Sequence, residues 1–458
     1  MTLLWRGFAA PPKNKKEKTM SAIKDKSLKY NLHSWAAQGS IDPMVITKAE
    51  GIYFWDEDGN KYADMSAQLV NSNLGHHNQA IIDAIKAQAD KLPFIGPGFA
   101  IDVRSDAAEA VVKASGLEGA KVFFTNAGAE SNENAIKMAK QFTGRWKIFS
   151  MYRCYHGSTA GSGNLTGEPR HFANEPGPAG FVKYDGPYPY RAPKQVHFKD
   201  EDDVADFYLE LLHNQIKYEG PDSIAAIFLE SVVGSNGVLI PPKKWVQGVR
   251  DLCTKYGIMM VCDEVMAGWY RTGKCFAYMN FDVKPDLVTF AKGCTCGYVP
   301  LGGVIASKPI ADFFNDHKMM CGLTYSAHPI GCAACVATLK EYERLGIEEN
   351  VNKVGKVLAD IEDEFAKKHP CVGAVRHIGL FSAIELVKDE DGTPLVPFNE
   401  DPDGLMPKIV GMLKNEGFWT YSHENMVVVC PPLIITEEEV KENMKKMDKV
   451  LDSVDKMI

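Results

Sequence analysis

Three apolar segments of the sequence end in residues whose side chains ionise, namely Glu230, Asp263 and Lys292. The segments recur at about the spacing of one βαβ unit, so we expect neighbouring strands of a parallel sheet flanked by helices. Ligands of such sheets bind at the carboxyl ends of the strands, where these three side chains would meet. Lys292 is either a solvated strand end or an amine held for chemistry. Because two carboxylates accompany it, we favour an amine that forms an imine with a cofactor.

The predicted strand at residues 121–124 is followed by small residues instead of an ionisable one. The chain continues there with small residues, including Ala127, Gly128 and Ala129, and opens directly into a predicted helix. Backbone N–H groups approach an anion closely in such a turn, and the helix dipole favours negative charge at this end. An ordinary strand-helix turn has the same pattern. The G-x-x-x-x-G-K-[ST] motif of nucleotide-binding loops is absent, so we interpret the turn as a site for a single phosphate.

A lysine amine, a buried aspartate and a phosphate site are together typical of a site for pyridoxal 5′-phosphate (PLP). The amine condenses with the aldehyde of this cofactor, and an aspartate beside the pyridine nitrogen keeps that nitrogen protonated. An aromatic side chain is expected to stack on the cofactor ring.

Six motifs in one order along the chain resemble the class III aminotransferases, the ω-aminotransferase branch of the fold-type I PLP enzymes. They are Asn126-Ala127-Gly128-Ala129-Glu130, Tyr155-His156-Gly157, Leu229-Glu230, Asp263-Glu264-Val265-x-x-Gly268-x-x-Arg271-Thr272-Gly273, Ala291-Lys292-Gly293 and Thr324-Tyr325-Ser326-x-His328-Pro329. The match runs from about Trp35 to Pro432. The resemblance implies an α/β fold of PLP fold type I, in which a large domain has a mainly parallel central sheet flanked by helices and a smaller domain is α+β.

The resemblance also implies roles for individual residues. Lys292 is expected to be the Schiff-base lysine and general base, Asp263 the partner of the pyridinium nitrogen, and Tyr155 the residue stacked on the ring. Val265 is expected to pack against the opposite face. Thr324 is expected to reach the cofactor phosphate of the other subunit, which implies a homodimer or a dimer of dimers. The implied cofactor-binding residues are Ala127, Gly128, Ala129, Tyr155, His156, Glu230, Asp263, Val265, Lys292 and Thr324.

The implied reaction is ping-pong transamination, in which a small-molecule amine donor converts the cofactor to pyridoxamine phosphate and an oxo acid acceptor reverses the step. Many family members bind the carboxylate of the oxo acid with an arginine at the position of Tyr421. In the ornithine and γ-aminobutyrate (GABA) branch a glutamate gates that arginine, at the position of Ser235. Both members of this gate are replaced here, which disfavours those two substrates.

An anionic substrate still needs a cation, and Arg170 is the candidate, with Trp35 as an indole N–H donor. Tyr421, at the position of the missing arginine, is the third residue expected to bind the substrate. A structural ion pair for Arg170 and simple packing for Trp35 are the alternatives. A fixed arginine suits a compact anion at the end of a short ω-amine, so we favour taurine, converted to sulfoacetaldehyde with 2-oxoglutarate or pyruvate as acceptor. The sequence also resembles the taurine branch of the class. β-Alanine or another ω-amine, and a PLP-dependent aminomutase, are the alternatives.

Hydrophobic periodicity predicts the helices and strands that must position these residues. We expect a β-hairpin around residues 58–60, strand-helix alternation from about residue 104, and a long Gly/Pro-rich excursion over residues 165–200. Long helices and a second set of strands follow residue 329. The predicted division is a mobile N-terminal arm (1–28), a segment belonging with the small domain (29–75), the large PLP-binding domain (76–328) and the small domain (329–458).

The amino-acid composition argues against several functional classes for this chain. The chain has 458 residues and a net charge of -8, from 51 Lys and Arg against 59 Asp and Glu, so it lacks the basic surplus of a nucleic-acid-binding protein. No apolar run approaches the roughly 20 residues of a membrane span. The 11 cysteines are scattered through apolar segments, so we expect reduced, buried thiols rather than disulfides or metal ligands. These features predict a cytoplasmic protein without nucleic-acid or membrane partners.

Overall fold

The computed structural model describes residues 21–458. Within this range the α-helices are α1 (Ala22–Tyr30), α2 (Ala67–Val70), α3 (Gln79–Lys91), α4 (Asp102–Ser115), α5 (Gly128–Thr143), α6 (Ala160–Leu165), α7 (Glu201–Glu219), α8 (Lys243–Tyr256), α9 (Lys308–Asp316), α10 (Pro329–Arg344), α11 (Ile347–Lys368), α12 (Leu405–Asn415) and α13 (Glu437–Val454). The strands are β1 (Ile46–Glu50), β2 (Tyr53–Asp56), β3 (Lys61–Asp64), β4 (Lys121–Thr125), β5 (Lys147–Met151), β6 (Phe181–Tyr184), β7 (Ile224–Glu230), β8 (Met259–Asp263), β9 (Leu287–Phe290), β10 (Gly302–Ala306), β11 (Val372–Ile378), β12 (Phe381–Leu386), β13 (Phe418–Trp419), β14 (Ser422–His423) and β15 (Met426–Val429).

The central sheet carries the predicted strand ends. Its order is β4-β10-β9-β8-β7-β5-β6, and the pairs from β9 through β6 are parallel. β10 is antiparallel to both β4 and β9, so it alone is reversed within this described sheet. A mainly parallel sheet is thereby confirmed. All seven residues of β7 and all five of β8 are buried, as expected for strands covered by helices on both faces.

The reversed strand β10 was not predicted from the sequence. It begins with Gly302 and Gly303 directly after the lysine motif, where glycines usually indicate a loop. A Cβ at Gly303 would lie 2.5 Å from the ring of Phe290 on β9. Glycine is therefore needed for β10 to lie against β9 at this point.

The Gly/Pro-rich excursion over residues 165–200 also contains an unpredicted strand. Residues Phe181–Tyr184 form β6, which pairs in parallel with β5 at the edge of the sheet. The Lys183 Nζ donates a hydrogen bond to the Ser150 hydroxyl at 2.8 Å. An irregular loop is therefore the wrong description of this part of the excursion, because four residues between Gly/Pro clusters are too few for a clear periodic signal.

Two smaller sheets accompany the central one. β2 and β3 form the hairpin predicted around residues 58–60 and belong to a sheet of order β1-β2-β3-β13. β13 comes from late in the chain, and its Phe418 lies opposite Ala63. The other sheet has the order β11-β12-β15-β14. The domain boundaries given above remain a prediction.

The N-terminal arm was predicted over residues 1–28, of which residues 1–20 lie outside the described residues. The next stretch forms α1, which was not predicted. The Ser21 side chain accepts a hydrogen bond from the backbone N–H of Lys24 at 3.3 Å, the usual N-cap contact.

The cysteines are all free, as predicted. Ten are buried, and Cys321 is partly buried. Within residues 21–458, no helix has the length and apolarity that crossing a bilayer requires.

Candidate active site

A cavity of about 1700 Å³ opens at the carboxyl edge of the central sheet. Every predicted site residue except Thr324 contributes to its lining. The structure therefore brings together the amine, the carboxylates and the small-residue turn that the sequence placed at separate strand ends. It also brings Trp35, Arg170 and Tyr421 to the same cavity.

The cavity floor is formed by three adjacent strands. β9, β8 and β7 are neighbours, so Lys292, Asp263 and Glu230 stand side by side at their ends. Glu230 is paired directly with Asp263 across the strands, and Asp263 is paired with Thr289. This register aligns the three ionisable groups at one edge of the sheet.

Lys292 begins a short 3-10 helix immediately after β9. Its backbone is left-handed, with φ of 50°, which is uncommon for a residue with a side chain. Strain of this kind is typical of functional positions. Burial lowers the pKa of the Lys292 ammonium, opposed by Asp263 and Glu230, and the Arg170 cation lowers it further. A lowered pKa favours the neutral amine, the form that acts as nucleophile or base.

Asp263 is held by three donors and is 3% exposed. Its Oδ2 accepts from the Asn132 side-chain amide at 2.8 Å and lies 2.7 Å from His156 Nδ1, while its Oδ1 accepts from the Val265 backbone N–H at 2.9 Å. Asn132 is oriented by the Thr289 hydroxyl, which donates to its Oδ1 at 2.8 Å. These contacts hold the carboxylate in one orientation at the edge of the cavity.

The turn after β4 has the features of an anion site. Ala127 is the N-cap of α5, but no side chain caps this helix end, so the first N–H groups of α5 are not occupied by a cap. A Cβ at Gly128 would lie 2.9 Å from both methyl groups of Val265, so glycine is required where the helix meets the residue after Asp263. The Ala129 backbone follows in the same first turn and lines the cavity.

Glu230 fixes the wall of the cavity. One carboxylate oxygen accepts from the Tyr155 backbone N–H at 2.9 Å and the other from the Gly234 N–H at 2.8 Å. Burial raises the pKa of Glu230, and the Asp263 charge adds to the rise. Because both oxygens are engaged by backbone, Glu230 positions Tyr155 and the loop after β7.

Arg170 lies against the predicted stacking residue. Its guanidinium carbon is 3.9 Å from the centroid of the Tyr155 ring and 5.9 Å from that of Trp35. The Nε donates to a Glu168 oxygen at 2.5 Å, and Nη2 donates to the Ser235 hydroxyl at 3.2 Å. Four groups thus hold Arg170 in one orientation, and Ser235, at the position of the missing gate, is one of them.

Comparison with known proteins identifies the family. The model of "Aminotransferase class-III" matches residues 35–451. The chain belongs to the class III aminotransferases. The prediction of a PLP-dependent aminotransferase of fold type I is confirmed.

Relatives of this aminotransferase are named for different substrates. The solved structure of a taurine:2-oxoglutarate aminotransferase from Bifidobacterium kashiwanohense, in complex with PLP and glutamate, is 48% identical, with a TM-score of 0.92 over 96% of this chain and 99% of that one. The taurine–pyruvate aminotransferase of Bilophila wadsworthia is 30% identical over 93% of this chain and 96% of its own length. A probable 4-aminobutyrate aminotransferase of Bacillus subtilis is 31% identical over 88% and 92%.

Two residues predicted to belong to the active site of the aminotransferase, Thr324 and Trp35, are exposed to solvent. Thr324 is exposed and is not part of the cavity lining of its own chain. Trp35 lines the cavity but is 67% exposed, which excludes the alternative of a core residue within this chain.

Sequence reasoning missed Asn132, His423 and Glu424. Asn132 lies on α5, and its side chain touches Asp263 across 131 residues of sequence separation. His423, the last residue of β14, and Glu424, in the turn between β14 and β15, also line the cavity. A polar residue one helical turn after the phosphate motif was the available signal for Asn132.

Proposed function

We propose that this aminotransferase transfers the amino group of a short ω-amine with an anionic end, best represented by taurine, to an oxo acid. The product of the donor would be sulfoacetaldehyde. The observation that carries the proposal is the immobilised Arg170 guanidinium in the same cavity as the Lys292 amine.

The chain's residues fit the cofactor. The uncapped first turn of α5, at Gly128 and Ala129, suits its phosphate, and the Asp263 carboxylate suits a protonated ring nitrogen. When bound, PLP supplies an aldehyde that condenses with amines and a ring that accepts electrons from the carbon undergoing proton loss. Tyr155 and Val265 are the residues to cover the two faces of that ring.

Lys292 is proposed to carry the protons of the reaction. Its Nζ would take the proton from the donor carbon that bears the amino group and pass it on within the site. The lowered pKa of Lys292 favours this role because a neutral amine is required to accept the proton. Tyr421, partly buried on the cavity wall and with a pKa raised by desolvation, offers a neutral phenol instead of a second cation.

Arg170 is suited to a compact anion. Nε and Nη2 are engaged by Glu168 and Ser235, and the structure records no partner for Nη1 within residues 21–458. Charge-assisted hydrogen bonds from a preorganised guanidinium to a sulfonate or carboxylate oxygen are among the stronger polar contacts. The names of the two taurine aminotransferase relatives support this reading. β-Alanine would place its carboxylate at the same cation.

We further propose that the enzyme is a homodimer in which Thr324 completes the partner's site. Thr324 directly precedes Tyr325, whose ring centroid lies 5.8 Å from that of Phe94, and these two aromatic side chains are 56% and 43% exposed. Exposed apolar patches of this kind mark association surfaces. Its position outside its own cavity is consistent with a contact to a second subunit.

The experiment is a donor panel on the purified holoenzyme, comparing taurine, β-alanine and GABA, each with 2-oxoglutarate and with pyruvate. The proposal predicts the highest kcat/KM for taurine. A preference for GABA would contradict it, and turnover of an amino acid without any oxo acid would indicate an aminomutase instead.

Arg170→Ala tests the recognition step. Loss of a charge-assisted contact costs about 1.5–3 kcal/mol, or about 10- to 150-fold in kcat/KM, for taurine but not for propylamine, which lacks the anion. The matched control is Arg344→Ala, an exposed arginine on α10 paired with Glu341, which should leave both donors unaffected. Equal losses on taurine and propylamine would refute the role of Arg170.

A further inference from the structure

A second arginine, Arg153, lies next to a residue of the cavity lining. Arg153 Nη1 lies 3.8 Å from an oxygen of Glu424, and Glu424 lines the cavity beside His423. Burial lowers the pKa of His423 to about 4, and the charges of Arg170 and Arg153 both add to this effect. The His423 imidazole is therefore neutral and lies within the electrostatic reach of two cations.

The contacts of Arg153 are weak compared with those of Arg170. The ion pair with Glu424 spans 3.8 Å, beyond hydrogen-bond distance, and the side chain is 40% exposed. Its other recorded neighbour is the Tyr188 ring, whose centroid is 5.4 Å from the guanidinium carbon. Within residues 21–458 the structure records no hydrogen bond donated by this guanidinium, so its donors are available to a ligand.

Neighbouring arginines are not available in this way. Arg376 Nη1 donates to a Glu385 oxygen at 2.7 Å, and its Nε donates to the Gly237 carbonyl at 2.9 Å. Arg191 Nε donates to the same carboxylate at 2.8 Å. Glu385 is 2% exposed, so these pairs are structural. Arg153 differs from both in facing a carboxylate that it does not hold tightly.

The Glu424 carboxylate holds the Arg153 guanidinium only weakly. Its backbone is left-handed, with φ of 48°, and its side chain is 13% exposed. Burial raises the pKa of Glu424, and the carboxylates of Glu385 and Glu168 add to the rise while Arg153 opposes it. A partly buried carboxylate with two anionic neighbours and one distant cation is a weak competitor for that cation.

We propose that Arg153 binds the second carboxylate of a dicarboxylic oxo acid acceptor, with Glu424 as the counter-ion that this carboxylate displaces. The inference rests on the proposed function, because it concerns the second substrate of the same site. A short ω-amine with one anionic end needs only Arg170. A dicarboxylic oxo acid, such as 2-oxoglutarate, carries two anionic ends and needs a second cation. Pyruvate has one carboxylate and gains nothing from Arg153.

The test measures the acceptor half-reaction on enzyme loaded with pyridoxamine phosphate, so that no amine donor is involved. Arg153→Gln should raise the ratio of the KM for 2-oxoglutarate to the KM for pyruvate by at least about tenfold. Glu424→Gln should lower the same ratio, because it removes the competitor for Arg153. The two substitutions therefore shift acceptor preference in opposite directions, which a general loss of site structure would not do.

A binding measurement gives an independent readout. Glutarate, a dicarboxylate without the oxo group, is titrated calorimetrically into the PLP-loaded enzyme. It should bind more weakly to Arg153→Gln and more tightly to Glu424→Gln. Arg344→Gln is the matched control and should alter neither quantity.

The proposal is overturned if Arg153→Gln changes both acceptors equally, or if Glu424→Gln weakens glutarate binding. Should Arg153→Gln not fold, the Glu424→Gln result decides alone. Failure of taurine as a donor leaves these measurements intact, so the two proposals fail separately.

Discussion

Gly128→Ala probes the phosphate site with a single methyl group. The added Cβ would lie 2.9 Å from both γ-carbons of Val265, well inside an ordinary van der Waals contact. Val265 cannot retreat freely, because its backbone N–H donates to Asp263 at 2.9 Å. The methyl group therefore displaces either the N–H groups at the start of α5 or the residue that supports Asp263.

The expected effect falls on cofactor affinity. Overpacking by one methyl group costs about 1–3 kcal/mol. Converted to a dissociation constant, that cost corresponds to about 5- to 150-fold weaker binding of PLP. The cofactor-free protein should stay folded, since the substitution lies at a helix end facing the cavity.

The assay is titration of the cofactor-free protein with PLP, followed by absorbance. Gly411→Ala is the matched control, because Gly411 is also helical and an added Cβ there meets nothing within 4 Å. That control should retain cofactor affinity and gain about 1 kcal/mol of stability. If Gly128→Ala binds PLP as tightly as the unsubstituted protein, the assignment of the phosphate site is wrong.

Three further substitutions test buried polar groups. Asn132→Ala removes a donor to Asp263 and should weaken PLP binding by about tenfold or more in the same titration, whereas Thr289→Val, which acts only through Asn132, should have a smaller effect. Burial raises the pKa of Glu362 to about 8, and its Oε2 has no partner among the described residues. Because the folded pKa exceeds the unfolded one, Glu362 loses its stabilising protonated form as pH rises from about 4.5 to about 8. Glu362→Gln should therefore raise the free energy of unfolding by about 4 kcal/mol near pH 8 and by little near pH 4.5; a pH-independent difference in denaturant unfolding would contradict this.

The residues at the strand ends were easier to predict from the sequence than the side chains that contact them. Lys292, Asp263 and Glu230 were placed together because parallel strands present their carboxyl ends at one edge, a rule that needs only the strand positions. Asn132 was missed because its local signal, a polar residue one helical turn after the phosphate motif, does not show that the side chain contacts Asp263 at the end of β8. Arg153 and Glu424 were missed for the same reason, since they meet across 271 positions only in the folded chain.

The fold departs from expectation where long-range pairing overrides local signals. β10 is inserted in reverse between β4 and β9, and its opening glycines read locally as a loop. β6 is an edge strand inside a Gly/Pro-rich stretch. In both cases the strand is stabilised by its neighbours in the sheet rather than by its own periodicity.

The central claim is that Lys292 is the residue that binds PLP covalently. Borohydride reduction of the holoenzyme, followed by peptide mass spectrometry, reports which lysine carries the cofactor. A pyridoxyl adduct on the Lys292 peptide, lost in Lys292→Ala while PLP is still retained noncovalently, is the predicted result. An adduct on another lysine, or one that persists in Lys292→Ala, would contradict the account.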